Sequence, residues 1–214
     1  MSKVRGPLLS MRAAGQIGTS QVYATWRGVP YVRQYVIPAN PRTTAQMEVR
    51  SPFRWLQDAY RSIPGALAAV YEAYTEGRPL IARNGWTRVN LGALQAQNDV
   101  SNLTYSPGAR GGPAPSSITV TPGSGSLQVD VITAALPTGW SVTAAHVVAL
   151  EMQDPQSDFI GPWRYGSANA APYSVTLSSL GSGVEYIVGA WIEYLRPDGS
   201  AAYSASLQMT QTTL

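Results

Sequence analysis

Few residues of this 214-residue chain are of a type that could perform catalysis. Its one histidine, His146, lies in a stretch of apolar residues that predicts a strand, where a lone histidine is usually structural. The chain has no cysteine, which excludes disulfides, thiol nucleophiles and cysteine-ligated metals. No serine stands in the Gly-x-Ser-x-Gly turn that exposes a hydrolase nucleophile. The sequence therefore predicts no catalytic residue and a protein that is not an enzyme.

Metal and cofactor signals are equally sparse. A zinc site would need a second histidine or a cysteine. The run 123–126 (Gly-Ser-Gly-Ser) lacks the lysine and the following helix of a phosphate-binding loop, so it predicts a turn. Asp154, Asp158 and Asp198 stand in no recognisable calcium loop. We therefore expect no metal site and no cofactor.

Charge is distributed very unevenly along the chain. Residues 1–110 contain thirteen basic residues against five acidic ones, a net charge of +8, whereas residues 111–214 contain two against seven, a net charge of −5. This asymmetry concerns partners rather than fold. It favours a basic half that docks and an acidic half that is displayed. Nucleic acid is a less favoured partner, because the arginines are evenly spread and no DNA-binding motif is evident.

Residues 1–42 predict an extended docking arm. Glycines and prolines interrupt any helix there, and residues 21–27 and 31–37 alternate as strands do, with a turn at 28–30. A two-stranded ribbon is only marginally stable alone. Trp, Tyr and Arg dominate interface energetics, and Arg pairs bidentately with carboxylates. The predicted docking residues are Trp26, Arg27, Tyr31, Arg33, Tyr35, Asn40 and Arg42.

We expect these side chains to bind an acidic surface of another protein. The alternative interpretation is that the aromatic side chains pack on the chain's own helices while the arginines remain solvated. Removal of residues 1–40 distinguishes the two interpretations, since only the first requires the arm for binding.

Residues 43–106 predict a helical domain. Thr43 and Gln46 form a capping box, and a second helix, stopped by Gly77, follows Pro64. Pro52 implies a kink or a new helix, and Pro79 opens a shorter third segment. The expected core stripes are Val49, Phe53, Leu56 and Tyr60 in the first helix, and Leu67, Val70, Tyr71 and Tyr74 in the second.

Residues 107–114 (Pro-Gly-Ala-Arg-Gly-Gly-Pro-Ala) predict a linker, and residues 115–214 an all-β sandwich. Seven short strands are expected, separated by Gly, Pro and Asp turns. Arg196-Pro197-Asp198-Gly199 is a strong hairpin signal before the last strand. The overall class is thus α+β, with a ribbon arm and helical domain before the sandwich. The expected strands are 118–121, 126–133, 144–153, 159–165, 173–178, 185–194 and 201–210.

The second half resembles a fibronectin type III domain. Pro113-Ala114-Pro115 before Ile118-Thr119-Val120 is similar to that family's first strand, and residues 180–188 (Leu-Gly-Ser-Gly-Val-Glu-Tyr-Ile-Val) are similar to its Leu-x-x-Gly-x-x-Tyr-x-Val signature. The resemblance implies an immunoglobulin-like sandwich in which Tyr186 is the structural corner tyrosine. Val129 and Val131 stand where the family often has a tryptophan, so Trp191 or Trp140 is expected to provide core bulk.

Residues 15–90 resemble a family of bacteriophage structural genes. The shared features, in chain order, are Gly15-x-x-Gly18, Trp26-Arg27-Gly28, Tyr31-Val32-Arg33, Pro38-Ala39-Asn40-Pro41-Arg42-Thr43, Ala45-Gln46, Arg50, Phe53 and Arg83-Asn84-Gly85-Trp86-x-x-Val89-Asn90. The resemblance implies a virion component assembled in the host cytoplasm, a capsid decoration (cement) protein that binds the major capsid protein or other virion proteins. It also implies a homo-oligomer or many copies. The alternative within this class is a head–tail connector or tail-associated protein.

Two further expectations concern membranes and sugars. The longest apolar run, Ile63–Tyr71, is far shorter than the ~20 residues of a membrane span, and no signal peptide is evident. We therefore expect no membrane association. A function of another class, a carbohydrate or host-surface binding module, is suggested by Trp140, Trp163 and Tyr165, which are expected on loops or edges where they could stack on sugars.

Overall fold

The fold is described from a computed structural model for residues 14–37, 39–97, 100–152 and 161–214. The chain separates into two units, Met1–Thr43 and Thr44–Leu214. Each unit is described by itself below.

The first unit contains a three-stranded antiparallel sheet of β1 (Gly15–Ile17), β2 (Gln21–Trp26) and β3 (Val29–Gln34), in that order. The turn between β2 and β3 lies at Arg27-Gly28 and not at 28–30 as expected. Both turn residues have positive φ, +48° and +83°, and Trp26 is paired with Val29. This type I′ geometry matches the twist of the flanking strands, and glycine adopts it without strain. The addition of β1 makes the ribbon one strand wider than predicted.

The second unit begins with three helices, α1 (Thr44–Ala59), α2 (Gly65–Thr75) and α3 (Ala82–Gln97). Helix α3 packs against both α1 and α2. Gly85 allows the approach to α2, because a Cβ there would lie 2.6 Å from Cγ2 of Thr75. As predicted, Leu67, Val70 and Tyr71 are buried on α2. Helix α3 is longer than the short segment expected.

The predicted core stripe of α1 was partly wrong. Val49 and Phe53 are about half exposed, and the buried residues are Pro52, Trp55, Leu56 and Ala59. The two stripes share Leu56 and lie on adjacent faces of the helix, and the larger Trp55 side chain is the one that enters the core. Helix α1 continues through Pro52, so no second helix begins at this residue.

Two antiparallel sheets complete the second unit. The smaller has the order β5-β6-β9, and the larger has the order β4-β11-β10-β7-β8, with β12 also paired to β10. The strands are β4 (Pro107–Ala109), β5 (Ser117–Gly123), β6 (Ser126–Ile132), β7 (Ser141–Glu151), β8 (Arg164–Ala168), β9 (Tyr173–Ser178), β10 (Glu185–Leu195), β11 (Ala201–Ala205) and β12 (Leu207–Thr212). The prediction of an α+β chain with a β-sandwich is confirmed.

The larger sheet is buried on both of its faces. Successive side chains of a strand point to opposite faces. On β7, Val147 and Ala149 belong to the core that the two sheets share, whereas Val148 and Leu150 belong to a second core that also contains Trp55 of α1 and Trp86 of α3. The second unit therefore has three layers, helices, large sheet and small sheet.

The predicted linker at 107–114 does not separate two bodies. Pro107–Ala109 forms β4, which pairs with β11, and Ala109 is buried. Just before it, the ring of Tyr105 is fully buried against Gly189 of β10, where a Cβ would overlap the ring. Burial of the apolar residues around 100–105 draws this segment into the core, so the helices and the sandwich form one unit. The predicted division of 43–106 from 115–214 was therefore wrong.

The remaining strand predictions differ from the structure in two places. The expected strand 159–165 is replaced by β8, which begins at Arg164, and residues 153–160 lie outside the described residues. The expected strand 201–210 is divided into β11 and β12 at Ser206, whose N–H donates to the carbonyl of Ser106 at 2.9 Å. The segment around Ser106 thus separates the two halves of the last strand.

Candidate functional site

The three-stranded ribbon, defined as residues 15–34, has an apolar face. The strand register places Val22, Ala24, Trp26, Val29 and Tyr31 on one side of it. Arg33 shares this side because it pairs with Val22, and the opposite side contains Ile17, Tyr23 and Val32.

No described residue of 14–43 is buried. Trp26 is 47% exposed and Tyr31 42% exposed on the apolar face, while Val32 on the other face is 53% exposed. Monomeric soluble proteins rarely expose contiguous apolar patches of this kind unless the patch binds something. The ribbon therefore leaves apolar and aromatic side chains open to solvent.

All charged residues of the first unit are basic. Residues 1–43 contain six basic and no acidic residues, whereas residues 44–214 contain nine basic and twelve acidic ones. At the tip of the ribbon, the guanidinium carbon of Arg27 lies 4.9 Å from the ring centroid of Trp26, a cation–π pair. The tip thus presents an aromatic ring and a positive charge together.

The outer edge of β3 is blunted by Pro30. In a two-residue hairpin Trp26 and Val29 exchange the first hydrogen-bonded pair, so the N–H positions of residues 30, 32 and 34 face outward. Proline has no N–H, so it removes the first donor from this edge. The ribbon is therefore better suited to docking through its side-chain faces than through strand addition.

The structure brings five of the predicted docking residues together near the ribbon and leaves two beyond it. Trp26, Arg27, Tyr31 and Arg33 are exposed on the ribbon, and Tyr35 follows it half-buried. Asn40 and Arg42 lie in the exposed segment before α1, where Arg42 has a φ of +48°.

A polar cluster that the sequence did not predict surrounds His146 on the helix side of the large sheet. The imidazole is 6% exposed and stacks on Trp191, with ring centroids 5.3 Å apart. Its Nε2 lies 3.0 Å from a carboxylate oxygen of Glu193, and its Nδ1 lies 2.8 Å from the Tyr165 hydroxyl. A carboxylate only accepts, so Nε2 donates to Glu193 and Nδ1 accepts from Tyr165.

Burial lowers the pKa of His146 below its ordinary value, although hydrogen bonding and charge from Glu193 act in the opposite direction. The imidazole is therefore neutral near pH 7 and both of its nitrogens are satisfied. This arrangement agrees with a structural histidine in a strand. Glu193 and Tyr165 lie 47 and 19 residues from His146, so only the strand register could have revealed the cluster.

Tyr186 lies at the corner of the sandwich. The backbone N–H of Gly181 donates to its hydroxyl at 3.0 Å, and the residue is 5% exposed. This contact ties the start of β10 to the loop before it, as in the tyrosine corner of immunoglobulin-like sandwiches.

An open cleft of about 670 Å³ lies between α2, the start of α3 and strand β11. Glu76, the residue directly after α2, pairs with the Arg110 guanidinium, which also donates to the carbonyl of Ala201. Glu72 lies one helical turn before Glu76 and is exposed. The cleft thus combines acidic side chains with a mostly apolar wall. Its apolar lining includes Ala69, Ala73, Leu80, Ile81, Ala82 and Tyr203.

Two aromatic side chains suggested for sugar binding are used within the fold. The Trp163 ring packs edge-on against Trp86 and Tyr105 in the helix–sheet core, at 6.2 and 6.1 Å between centroids. Trp140 packs against Tyr194 and lies beneath the guanidinium of Arg196. Both were expected on loops or edges, but the two cores of the second unit draw them in. Tyr165 is 41% exposed, yet its hydroxyl is held by His146.

Among the described residues, no group of three or more histidine or acidic side chains is placed to hold a metal ion. None of the described helices is both long enough and apolar enough to span a membrane.

No protein-family model matches the chain, and no curated protein matches it. Among solved structures, a chain described as "Myokine structure" is similar over 49% of this chain and 100% of its own length, with 19% identity and a TM-score of 0.34. The fn3 domain of the human collagen alpha-1(XX) chain is similar over 50% of this chain and 90% of its own length, with 24% identity and a TM-score of 0.34. A computationally redesigned β-sandwich protein is also similar, with 19% identity.

The sheet topology and the corner at Tyr186 define the class independently of these similarities. A three-stranded sheet faces a larger antiparallel sheet. The neighbouring strands β10 and β7 in the middle of the larger sheet are the sixth and the third strands of the sandwich, counted along the chain from β5. The second unit therefore contains a fibronectin type III-like sandwich with a layer of helices on its larger sheet.

Proposed function

We propose that this chain is a non-enzymatic virion structural protein, a capsid decoration protein that docks through its ribbon and displays its sandwich. The observation that supports this most directly is the ribbon itself, whose apolar and aromatic side chains are exposed on both faces. A small sheet without a core gains stability by packing on a partner. The residue pattern from Gly15 to Asn90 that resembles phage structural proteins supports a virion as the place where that partner is found.

The chemistry of the ribbon also indicates the kind of surface it binds. Six basic residues and no acidic ones in the first 43 favour an acidic partner. Exposed Trp, Tyr and Arg side chains are the types most often found at interface hot spots. An acidic outer surface of the major capsid protein satisfies both requirements, and many copies on one shell would add avidity to modest individual contacts.

The first experiment is binding of the purified chain to phage particles that have been separated into heads and tails, with quantitation of copies per particle. The expected result is hundreds of copies on heads. A dozen or fewer copies with tails or necks would instead indicate a connector or tail protein. Absence from both fractions would contradict a virion role.

A matched pair of variants tests the ribbon as the docking surface. Tyr31→Ala with Val32→Ala removes side chains that are 42% and 53% exposed, one on each face of the ribbon. Leu195→Ala with Ile132→Ala removes side chains of similar exposure, 46% and 55%, from the sandwich. We expect the ribbon variant to bind particles at least about tenfold more weakly and the sandwich variant to bind normally. Equal binding of the two would show that the ribbon is not the docking surface.

Salt dependence separates protein from nucleic acid as the partner. Binding to DNA through several arginines would fall steeply, by roughly a thousandfold or more, between low and moderate salt. Binding through a packed aromatic interface should change much less over the same range.

A further inference from the structure

The cleft beside α2 has a charge that the second unit does not neutralise. Arg110 pairs with Glu76, but the carboxylate of Glu72 has no ion pair among the described residues. The wall near these side chains is mostly apolar and combines alanines with Leu80 and Tyr203, and Ile81 is 64% exposed. A ligand that fits this cleft therefore needs an apolar body and a positive charge on the same element.

The tip of the ribbon has both features. Trp26 is 47% exposed, and the Arg27 guanidinium lies over its ring at 4.9 Å. Val29, 65% exposed, follows on the same face. A two-residue turn makes this end of the ribbon narrow, only two strands wide, and the cleft volume of about 670 Å³ has room for an indole ring and its neighbours.

We propose that the ribbon tip of one copy docks in the α2 cleft of a second copy. Trp26 packs on the apolar wall and Arg27 pairs with Glu72. Net charge favours this contact, because the first 43 residues are +6 whereas residues 44–214 are −3. This inference rests on the proposed function, since it assigns to part of the same docking surface a partner, a neighbouring copy.

The geometry has a consequence for assembly. Tip and cleft are different surfaces of the chain, so the contact is heterologous and every copy presents both halves of it. Such contacts generate closed rings or open arrays instead of simple twofold dimers. On a capsid, the middle of the ribbon would then face the shell while the tip links neighbouring copies.

A charge exchange tests the proposal in solution without any particle. Sedimentation velocity should show concentration-dependent association of the native chain, and Arg27→Glu or Glu72→Arg alone should weaken it by about tenfold. In an equimolar mixture of these two variants, every contact between unlike copies again brings opposite charges together, so association should return toward the native level. A native chain that remains monomeric, or a mixture that does not recover, would overturn the proposal.

Cross-linking tests the contact itself and leaves Trp26, Arg27 and Glu72 intact. The chain has no cysteine, so Val29→Cys and Ile81→Cys variants can be mixed and treated with a short bismaleimide. Both replaced side chains are about 65% exposed. The control is a mixture of Ile81→Cys with Thr19→Cys, because Thr19 lies at the opposite end of the ribbon from the tip. The first mixture should yield at least about tenfold more covalent dimer than the control. Equal yields would contradict the docking mode.

The two proposals fail separately. If Glu72→Arg leaves self-association unchanged while Tyr31→Ala with Val32→Ala abolishes particle binding, the second copy is the wrong partner and the virion role stands. If copies associate through tip and cleft but do not bind heads or tails, the virion role is wrong.

Discussion

At the residue scale, His146 links the stability of the second unit to pH. An unfolded chain protonates histidine near pH 6.5. Burial lowers the pKa of His146 in the folded state, so the folded state binds fewer protons than the unfolded state once the pH falls below that value. Stability is therefore unaffected above about pH 6.5 and is lost as the pH falls through it, by at most about 1.4 kcal/mol per pH unit.

The check is chemical denaturation at about pH 7.5 and about pH 5.5 for the native chain and for His146→Gln, which keeps polar atoms between Tyr165 and Glu193. The native chain should lose more stability on acidification than the variant. Parallel losses in the two proteins would mean that other groups are responsible and that His146 is not the linked residue.

Asn90 is a second residue whose role is visible only in the structure. Its buried amide donates to the Trp86 and Thr104 carbonyls at 3.1 and 3.3 Å, and its carbonyl oxygen accepts from the Thr104 N–H at 2.6 Å. The Tyr71 hydroxyl also donates to the Thr104 carbonyl, at 2.6 Å. Asn90 thus holds the segment that leads from the helices into β4.

We expect Asn90→Leu to destabilise the second unit by about 2–4 kcal/mol, because it removes the hydrogen bonds of a buried amide and leaves the half-buried Thr104 N–H without its partner. Asn102→Leu is the matched control, since Asn102 is exposed and should change stability by less than about 0.5 kcal/mol. Guanidinium denaturation gives both values. A loss below about 1 kcal/mol for Asn90→Leu would show that water replaces these hydrogen bonds.

At the element scale, strands β7 and β10 indicate a third layer in the fold. Residues 144–150 and 186–194 are almost continuously apolar, and a strand of that kind is buried on both faces. Both were correctly predicted as strands of a sandwich, yet the second buried face implies a further layer. The helices before them provide that layer, so their union with the sandwich was predictable in principle from β7 and β10.

Of the two candidate sites, the ribbon could be predicted from the sequence and the cleft could not. The ribbon residues are close in sequence, so alternation and residue type were enough to predict an exposed strand pair with Trp26 and Tyr31 on it. The cleft joins α2 to β11 across more than a hundred residues, and Arg110 reaches it only because residues 107–109 form a strand rather than a linker. No local pattern indicates such a contact.

Gly189 tests the packing between the helical layer and the sheet. A Cβ at this position in β10 would overlap the Tyr105 ring, which is fully buried. Gly189→Ala should therefore destabilise the second unit by about 1–3 kcal/mol. The same substitution at Gly92, an exposed position of α3 with open space around its Cα, should be neutral or stabilising by up to about 1 kcal/mol. Thermal unfolding that does not distinguish the two variants would mean that Tyr105 moves aside at little cost.

At the scale of the whole molecule, the apolar cores and the proposed docking surface lie in different units. All residues of the two apolar cores lie between Trp55 and Leu207, whereas no described residue of 14–43 is buried. We therefore expect the second unit to fold stably without the first. Exposed apolar side chains that belong to no core are typical of binding surfaces, which is the role that we propose for this unit.

Removal of residues 1–43 separates these roles in one experiment. The remaining chain, 44–214, retains all three layers, so its Tm should lie within about 2 °C of the native value, because less than about 0.5 kcal/mol is lost. The truncated chain should fail to bind particles, and its net charge changes from +3 to −3, so it should also elute differently on ion exchange. If truncation instead lowers the Tm by ten degrees or more, the first unit stabilises the second. The aromatic side chains of the first unit would then be part of the fold and would not be a docking surface for a partner.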